Sequence, residues 1–255
     1  MIEIRKLCTG YGKENVLRDI DLVVPDGKVT VLLGPNGSGK STLLKTLVGI
    51  TPLRSGDILI DGESIASLSP RQLAQRLSYM AQTRNTPNIV ARRMVLHGRF
   101  PYLSYPRRYS KRDEEIATEA LRQADALDLA ERPMTELSGG QRQKVYLAMT
   151  LAQDTKSVLM DEPMNFLDVR HQLSLMETAK RLAADGRAVL LVMHDIRLAM
   201  QSADRLVVMD GGTVAAQGDA DALLQSGVID RVFSVGLRCT ETEHGTQYYY
   251  VNDIV

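Results

Sequence analysis

Gly34-Pro35-Asn36-Gly37-Ser38-Gly39-Lys40-Ser41-Thr42 follows directly on the apolar run Val29-Thr30-Val31-Leu32-Leu33. The stretch has the form GxxxxGK[ST]: a short buried strand runs into a glycine loop and then a helix, so that backbone N–H groups and the helix N-terminus converge on a phosphate chain. Far downstream, Leu137-Ser138-Gly139-Gly140-Gln141-Arg142-Gln143 opens an amphipathic helix with Val145, Ala148, Met149 and Ala152 on one face. Small residues at a helix N-terminus again present backbone N–H groups to an anion. A phosphate loop alone is common to many nucleotide-binding proteins, whereas this pair of devices in one chain is far more specific.

Lys40 supplies a point charge to the phosphates, Ser41 a hydroxyl to Mg²⁺, and Thr42 is placed to reach the α-phosphate. A second apolar run, Val158-Leu159-Met160, ends on Asp161-Glu162, and a third, Ala188 to Met193, ends on His194. Two carboxylates in succession at the end of a buried strand require a cation or an equivalent partner. Asp161 is therefore the candidate metal holder, acting through water, and Glu162 the candidate general base. The helical pattern between these strands puts Leu173, Met176, Ala179, Leu182 and Ala183 on one face and stops at Gly186.

Strand and helix alternating, with polar residues just past the strand ends, predicts an α/β fold. Period-2 patterning around Ile2, Ile4 and Leu22 to Val24 predicts an antiparallel β subdomain at the N-terminus. Residues 84–150 read as helical, interrupted by Pro87, Pro101, Pro106 and Pro133, with a capping box at Ser110 to Asp113 and Ile116, Ala120, Leu121, Ala124 and Leu127 at helix spacing. The expected organisation is a single domain over 1–255. Residues 1–83 and 151–236 form its nucleotide-binding core, 84–150 an inserted α-helical subdomain, and 237–255 a terminal hairpin or tail containing His244-Gly245-Thr246.

Lysine plus arginine and aspartate plus glutamate both number 31, which gives no global pull toward polyanions such as nucleic acid. Cys8 and Cys239 are far apart with no CxxC, so they are expected to be small buried hydrophobes in a reducing compartment. The charged N-terminus is unlike a signal peptide, and no run approaches the ~20 apolar residues of a membrane span. A cytosolic chain is the expectation.

With these motifs in place, nearly the whole chain resembles the ATP-binding cassette family, the ATPase subunits of membrane transporters, built on a P-loop NTPase (RecA-like) core. The resemblance implies that ATP and Mg²⁺ are bound, that His194 is the switch histidine contacting the γ-phosphate, and that Gln82 reaches the metal and the attacking water. It further implies that Tyr11 stacks on adenine. Ser138, Gly139, Gly140 and Gln141 would close on the γ-phosphate held by a second copy in a head-to-tail homodimer, with Asp168 along that interface. Met164 and Asn165 stand where family members usually carry small hydroxyl residues.

Arg71 to Gln82, Gly98-Arg99-Phe100-Pro101-Tyr102 and His194-Asp195 with Leu198-Ala199 and Ala203-Asp204-Arg205 look like the cassettes of siderophore, haem and cobalamin importers. Such a cassette implies a separate membrane permease, an extracytoplasmic substrate-binding protein acting indirectly, and a peripheral position at the cytoplasmic face of the plasma membrane. The alternatives are a soluble cassette ATPase of DNA repair or translation and an exporter cassette. Arg84, Arg92, Arg93, Arg99, Arg107, Arg108, Lys111 and Arg112 form a stretch without acidic residues. Two readings stand equal: a basic face toward permease and lipid headgroups, or a solvated face answered by Asp113, Glu114 and Glu115.

Overall fold

The structure, a computed structural model, describes residues 1–82, 86–165, 167–243 and 245–251. Arg84 of the basic stretch, Phe166 of the segment before Asp168, and His244 lie outside the described residues. The chain opens with β1 (Ile2–Thr9), β2 (Leu17–Val24), β3 (Val29–Leu33), α1 (Lys40–Leu47), β4 (Leu53–Ile60), β5 (Glu63–Ser64), α2 (Pro70–Arg76) and β6 (Leu77–Met80). A helical stretch follows with α3 (Ala91–Leu96), a 3-10 segment His97–Tyr102, α4 (Lys111–Gln123) and α5 (Gly139–Ala152). Then come β7 (Ser157–Asp161), α6 (Val169–Ala184), β8 (Ala188–Val192), α7 (Ile196–Ser202), β9 (Arg205–Asp210) and β10 (Thr213–Gly218). The described chain closes with α8 (Ala220–Gln225), α9 (Val228–Phe233), β11 (Gly236–Thr242) and β12 (Gly245–Val251).

The central sheet has the order β10-β9-β3-β8-β7-β6, parallel except for β10. Every residue of β3, β7 and β8 is buried, as strands covered on both faces must be. Alternation divides them between two hydrophobic clusters. Val29, Val31 and Leu33 pack with α6 and the helical stretch, whereas Leu32, Leu190 and Val192 pack with Leu43, Leu44 and Leu47 of α1 and the antiparallel sheet β2-β1-β4-β5. The sheet thus holds α1 against one face, and the carboxyl ends of β3, β7 and β8 all reach the same edge.

The helical stretch is tied to the core by the segment Gly98–Tyr102. Arg71 Nε and Gln75 Nε2 of α2 each donate to the Pro101 carbonyl at 2.9 Å. Gly98 lies so close to α5 that an added Cβ would stand 2.3 Å from the Met149 carbonyl oxygen. Backbone cannot yield as a flexible side chain can, so Gly98→Ala is expected to cost about 1–3 kcal/mol through overpacking. Denaturant unfolding checks this, and a stability equal to the parent would contradict the close approach.

Several expectations need correction. Leu173 is 50% exposed, because no residue of α6 before Leu175 is buried; Leu175 joins Met176 on the core face instead. Leu127 is 40% exposed, since α4 stops at Gln123 and the chain turns before reaching it. Cys239 is exposed on the hairpin and Cys8 only half-buried, its Sγ 3.8 Å from Asp19. Arg99 belongs to no surface: it is buried against Asp113, so that acid answers an interior cation. Arg92 pairs with Glu131, which leaves Arg93, Arg107, Arg108, Lys111 and Arg112 on the exposed side.

Candidate functional site

The loop after β3 turns sharply at Gly34, whose Cβ, if present, would sit 2.4 Å from the Met209 carbonyl oxygen and 2.6 Å from Ser38 Oγ. Only glycine fits there. At Gly37 the backbone has φ +82° and faces open space, the arrangement that lets main-chain N–H groups line a concavity. Pro35 and Asn36 bridge these turns. Gly39, with φ +99°, leads into Lys40, the first residue of α1. Lys40 Nζ donates to the carbonyls of Gly34 at 2.7 Å and Pro35 at 2.9 Å and to Ser38 Oγ at 3.3 Å. Burial pulls its ammonium below the ordinary value, opposed by the charges of Glu162 and Asp161.

β7 runs parallel between β6 and β8 and ends on Asp161. Asp161 is 1% exposed and accepts from Ser41 Oγ at 3.1 Å on Oδ1 and from the Tyr79 hydroxyl at 3.2 Å on Oδ2. Desolvation pushes its carboxyl above the usual range, against the pull of these two hydroxyls. The next residue, Glu162, has a left-handed backbone with φ +50°, which swings its side chain out of the strand's alternation.

Three elements meet on Glu162. Gln82 Nε2 from the end of β6 donates to Oε2 at 2.6 Å, Asn165 Nδ2 donates to the same oxygen at 2.7 Å, and His194 Nε2 after β8 lies 2.8 Å from Oε1. Burial raises this carboxyl, yet the donors from Asn165, His194 and Gln82 outweigh it and hold the group below its ordinary range. Glu162 is thereby a fixed carboxylate beside Asp161 and the phosphate loop. Tyr11 is 54% exposed, with its hydroxyl 3.5 Å from Thr51 Oγ1 and a further contact to Thr42. Its ring therefore stands at the flank of α1.

Ser138, Gly139, Gly140, Gln141 and Asp168 are brought together elsewhere, on an open cleft of about 990 Å³ that also contains Lys144, Leu167 and His171. Two of the N–H groups at this helix start are already used: Ser138 Oγ accepts from Gln141 N at 3.3 Å, and Gln141 Oε1 accepts from Ser138 N at 3.0 Å. The N–H groups of Gly139 and Gly140 are not engaged by this capping box. Asp168 caps α6, accepting from the His171 backbone at 2.9 Å. Gln143 Nε2 donates to the Pro163 carbonyl at 2.7 Å and links the helix behind this cleft to the turn that carries Glu162.

Sequence reasoning missed Tyr79, and it noted Asn165 only as a departure from a pattern. The β6/β7 register pairs Tyr79 with Leu159, so alternation along β7 puts Tyr79 on the face of Asp161. That pairing is a long-range fact invisible in either segment alone.

Beside the phosphate loop the Ser41 hydroxyl meets the Asp161 carboxylate, and Gln82 bonds the adjacent Glu162, so the polar groups here offer oxygen rather than sulfur. Among the described residues no cluster of His, Cys, Asp and Glu forms an all-protein metal cage. A small hard cation held by few protein oxygens together with phosphate oxygens fits this set, as Mg²⁺ does. No helix among the described residues is long and apolar enough to cross a membrane.

Known proteins resemble this chain along most of its length. The family described as "ABC transporter" matches residues 17–165. The Achromobactin transport ATP-binding protein CbrD of Dickeya dadantii (strain 3937) is 39% identical over 93% of this chain and 89% of its own length. The Ferric enterobactin transport ATP-binding protein FepC of Escherichia coli (strain K12) is 37% identical over 92% of this chain and 86% of its own. Among solved structures, a dimeric bacterial ABC transporter cassette superposes with a TM-score of 0.77 at 27% identity, covering 86% of this chain and 99% of that one. A phosphate loop, a strand-end carboxylate pair and a separate small-residue helix start, on a chain so closely matched, make this protein a member of the ABC transporter family.

Proposed function

We propose that this chain is the ATP-hydrolysing subunit of a bacterial importer for a ferric siderophore or a related chelate such as haem or cobalamin. The observation that carries the chemistry is the convergence of Gln82, Asn165 and His194 on Glu162 beside the phosphate loop. The reading of the cargo rests on relatives whose names specify achromobactin and ferric enterobactin transport.

In this reading the loop Gly34 to Gly39 cradles the β- and γ-phosphates, Lys40 neutralises them, Thr42 reaches the α-phosphate and Tyr11 stacks on adenine. Ser41, Asp161 and Gln82 would hold Mg²⁺, which would supply positive charge against that developing on the phosphate oxygens. Glu162 accepts the proton of the attacking water, worth about 10²–10⁴-fold in rate. His194 orients that water and reads the γ-phosphate. Residues 84–150 act as a helical lobe bearing the permease contact, 1–83 and 151–236 as the catalytic core, and 237–255 as a packing tail.

Ser138, Gly139, Gly140, Gln141 and Asp168 lie on a different cleft from Lys40 and Glu162, so within one copy they complete no site. A head-to-tail homodimer supplies them to the partner's nucleotide, and ATP then favours closure while hydrolysis relaxes it. The chain sits peripherally on the cytoplasmic face of the membrane, bound to permease subunits and served indirectly by an extracytoplasmic binding protein. Nucleic acid is no partner.

Hydrolysis by the isolated chain is expected to rise faster than linearly with protein concentration. Strict proportionality in a preparation that sediments as monomer would overturn shared sites. Tagging the chain and solubilising native membranes gently tests the transport role. A polytopic membrane protein should co-purify; soluble or nucleic-acid partners alone would overturn the importer.

A further inference from the structure

Tyr79 has no role in the reading above, yet its hydroxyl bonds the most buried acid of the site. Its hydroxyl donates to Asp161 Oδ2 at 3.2 Å, while Ser41 Oγ takes Oδ1 at 3.1 Å. The two oxygens of one carboxylate are thus divided between two hydroxyls from different elements, β6 and α1.

The geometry is set by strand register. Tyr79 pairs with Leu159 and Met80 with Met160 in the parallel β6/β7 ladder, so Tyr79 stands beside the residue two positions before Asp161 and on the same face of the sheet. The ring packs on the apolar cluster that contains Leu77, Leu159 and Leu73. The ring also lines an open groove with Ile65, Leu68 and Ile50. The hydroxyl is therefore delivered by a packed aromatic, which loses little freedom in making the bond.

A hydroxyl that gives a lone pair to a cation keeps its O–H for Oδ1, so Ser41 and Tyr79 together fix the plane of the carboxylate, and Tyr79 alone holds the Oδ2 side. Outer-shell partners of this kind orient ligands and raise affinity.

We propose that Tyr79 is a positioning residue for Asp161, acting through that carboxylate on the metal that accompanies ATP. The inference rests on the reading of Ser41 and Asp161 as the metal-holding pair. Tyr79→Phe retains the packed ring and removes only the donor. Mn²⁺ affinity of the ATP-bound protein, read by electron paramagnetic resonance, is expected to fall by about 10-fold or more. ATP affinity measured in chelator without metal should stay unchanged, an asymmetry that a loss of packing alone would not produce. Tyr79→Met, which also lacks the donor, should repeat the result and covers the case in which the phenylalanine variant folds poorly.

Asp161→Asn and Ser41→Ala serve as references. If both weaken Mn²⁺ binding and neither Tyr79 variant does, the positioning role is overturned and the site reading stands. If neither reference variant weakens it, the metal-site reading fails and the Tyr79 inference fails with it. An equal loss of ATP affinity with and without metal in the Tyr79 variants would assign the residue to general structure and also overturn the proposal.

Discussion

Glu162→Gln is expected to lower ATP turnover by about 10²–10⁴-fold while leaving ATP binding intact. The hydrogen-bond inventory explains why binding should survive. In the parent, Gln82 and Asn165 both donate to Oε2, and His194 Nε2 faces Oε1. A glutamine can keep its amide oxygen in the place of Oε2, accepting from both donors, and turn its NH₂ toward a His194 nitrogen in the accepting tautomer. The side chain keeps its position and loses only its ability to take a proton. Phosphate release under single-turnover conditions, beside calorimetric titration with ATP, separates the two effects. A variant that hydrolyses at the parental rate would remove Glu162 from the role of base and leave His194 as the group next to the γ-phosphate site.

Arg99→Ala is expected to destabilise the chain by about 3–5 kcal/mol, the usual consequence of stripping one partner from a buried ion pair. Arg99 Nε donates to Asp113 at 3.0 Å, Nη1 donates to the Ala152 carbonyl at 2.9 Å, and the guanidinium lies 4.1 Å from the Tyr102 ring centroid. Truncation leaves a carboxylate buried without its cation and a helix-end carbonyl without its donor. For a chain of this length the melting temperature should drop by roughly 6–20 °C.

The pH dependence has a definite sign. Burial raises the Asp113 carboxyl, but hydrogen bonds from Ser110 and Arg99 outweigh it and hold the group below its ordinary 3.8. A depressed carboxyl stabilises the fold above the unfolded value and loses that contribution as pH falls through the folded one. The gap in melting temperature between parent and variant should therefore be widest above 3.8 and narrow on acidification below it. A gap that is absent near neutral pH, or that widens in acid, would contradict the pair's assigned role.

Much of the site can be read along the chain because its parts are local. A phosphate loop works through consecutive backbone N–H groups, so Gly34 to Thr42 carry their geometry with them. Asp161 closes one strand and His194 lies just past another, and strand ends are visible as apolar runs that stop. The capping boxes at Ser110 and Ser138 likewise involve residues three apart. Where reasoning from periodicity erred, at Leu173 and Leu127, the helix pattern was present but the reach of the sheet and the end of α4 were not. The burial of Arg99 was hidden for the same reason: its partner Asp113 and the α5 carbonyl come from separate helices.

From sequence alone, this protein was determined to have an α/β core with a phosphate loop, a carboxylate pair at a strand end and a second glycine-rich helix start. Each depends on contacts within a few residues. Only the tertiary structure decided that Tyr79 and Ser41 divide the oxygens of Asp161, that Asn165 joins Gln82 and His194 on Glu162, and that Arg99 is an interior cation. Strand register and helix packing bring those groups together across long stretches of chain, and no local pattern encodes which distant side chain will arrive at hydrogen-bonding distance.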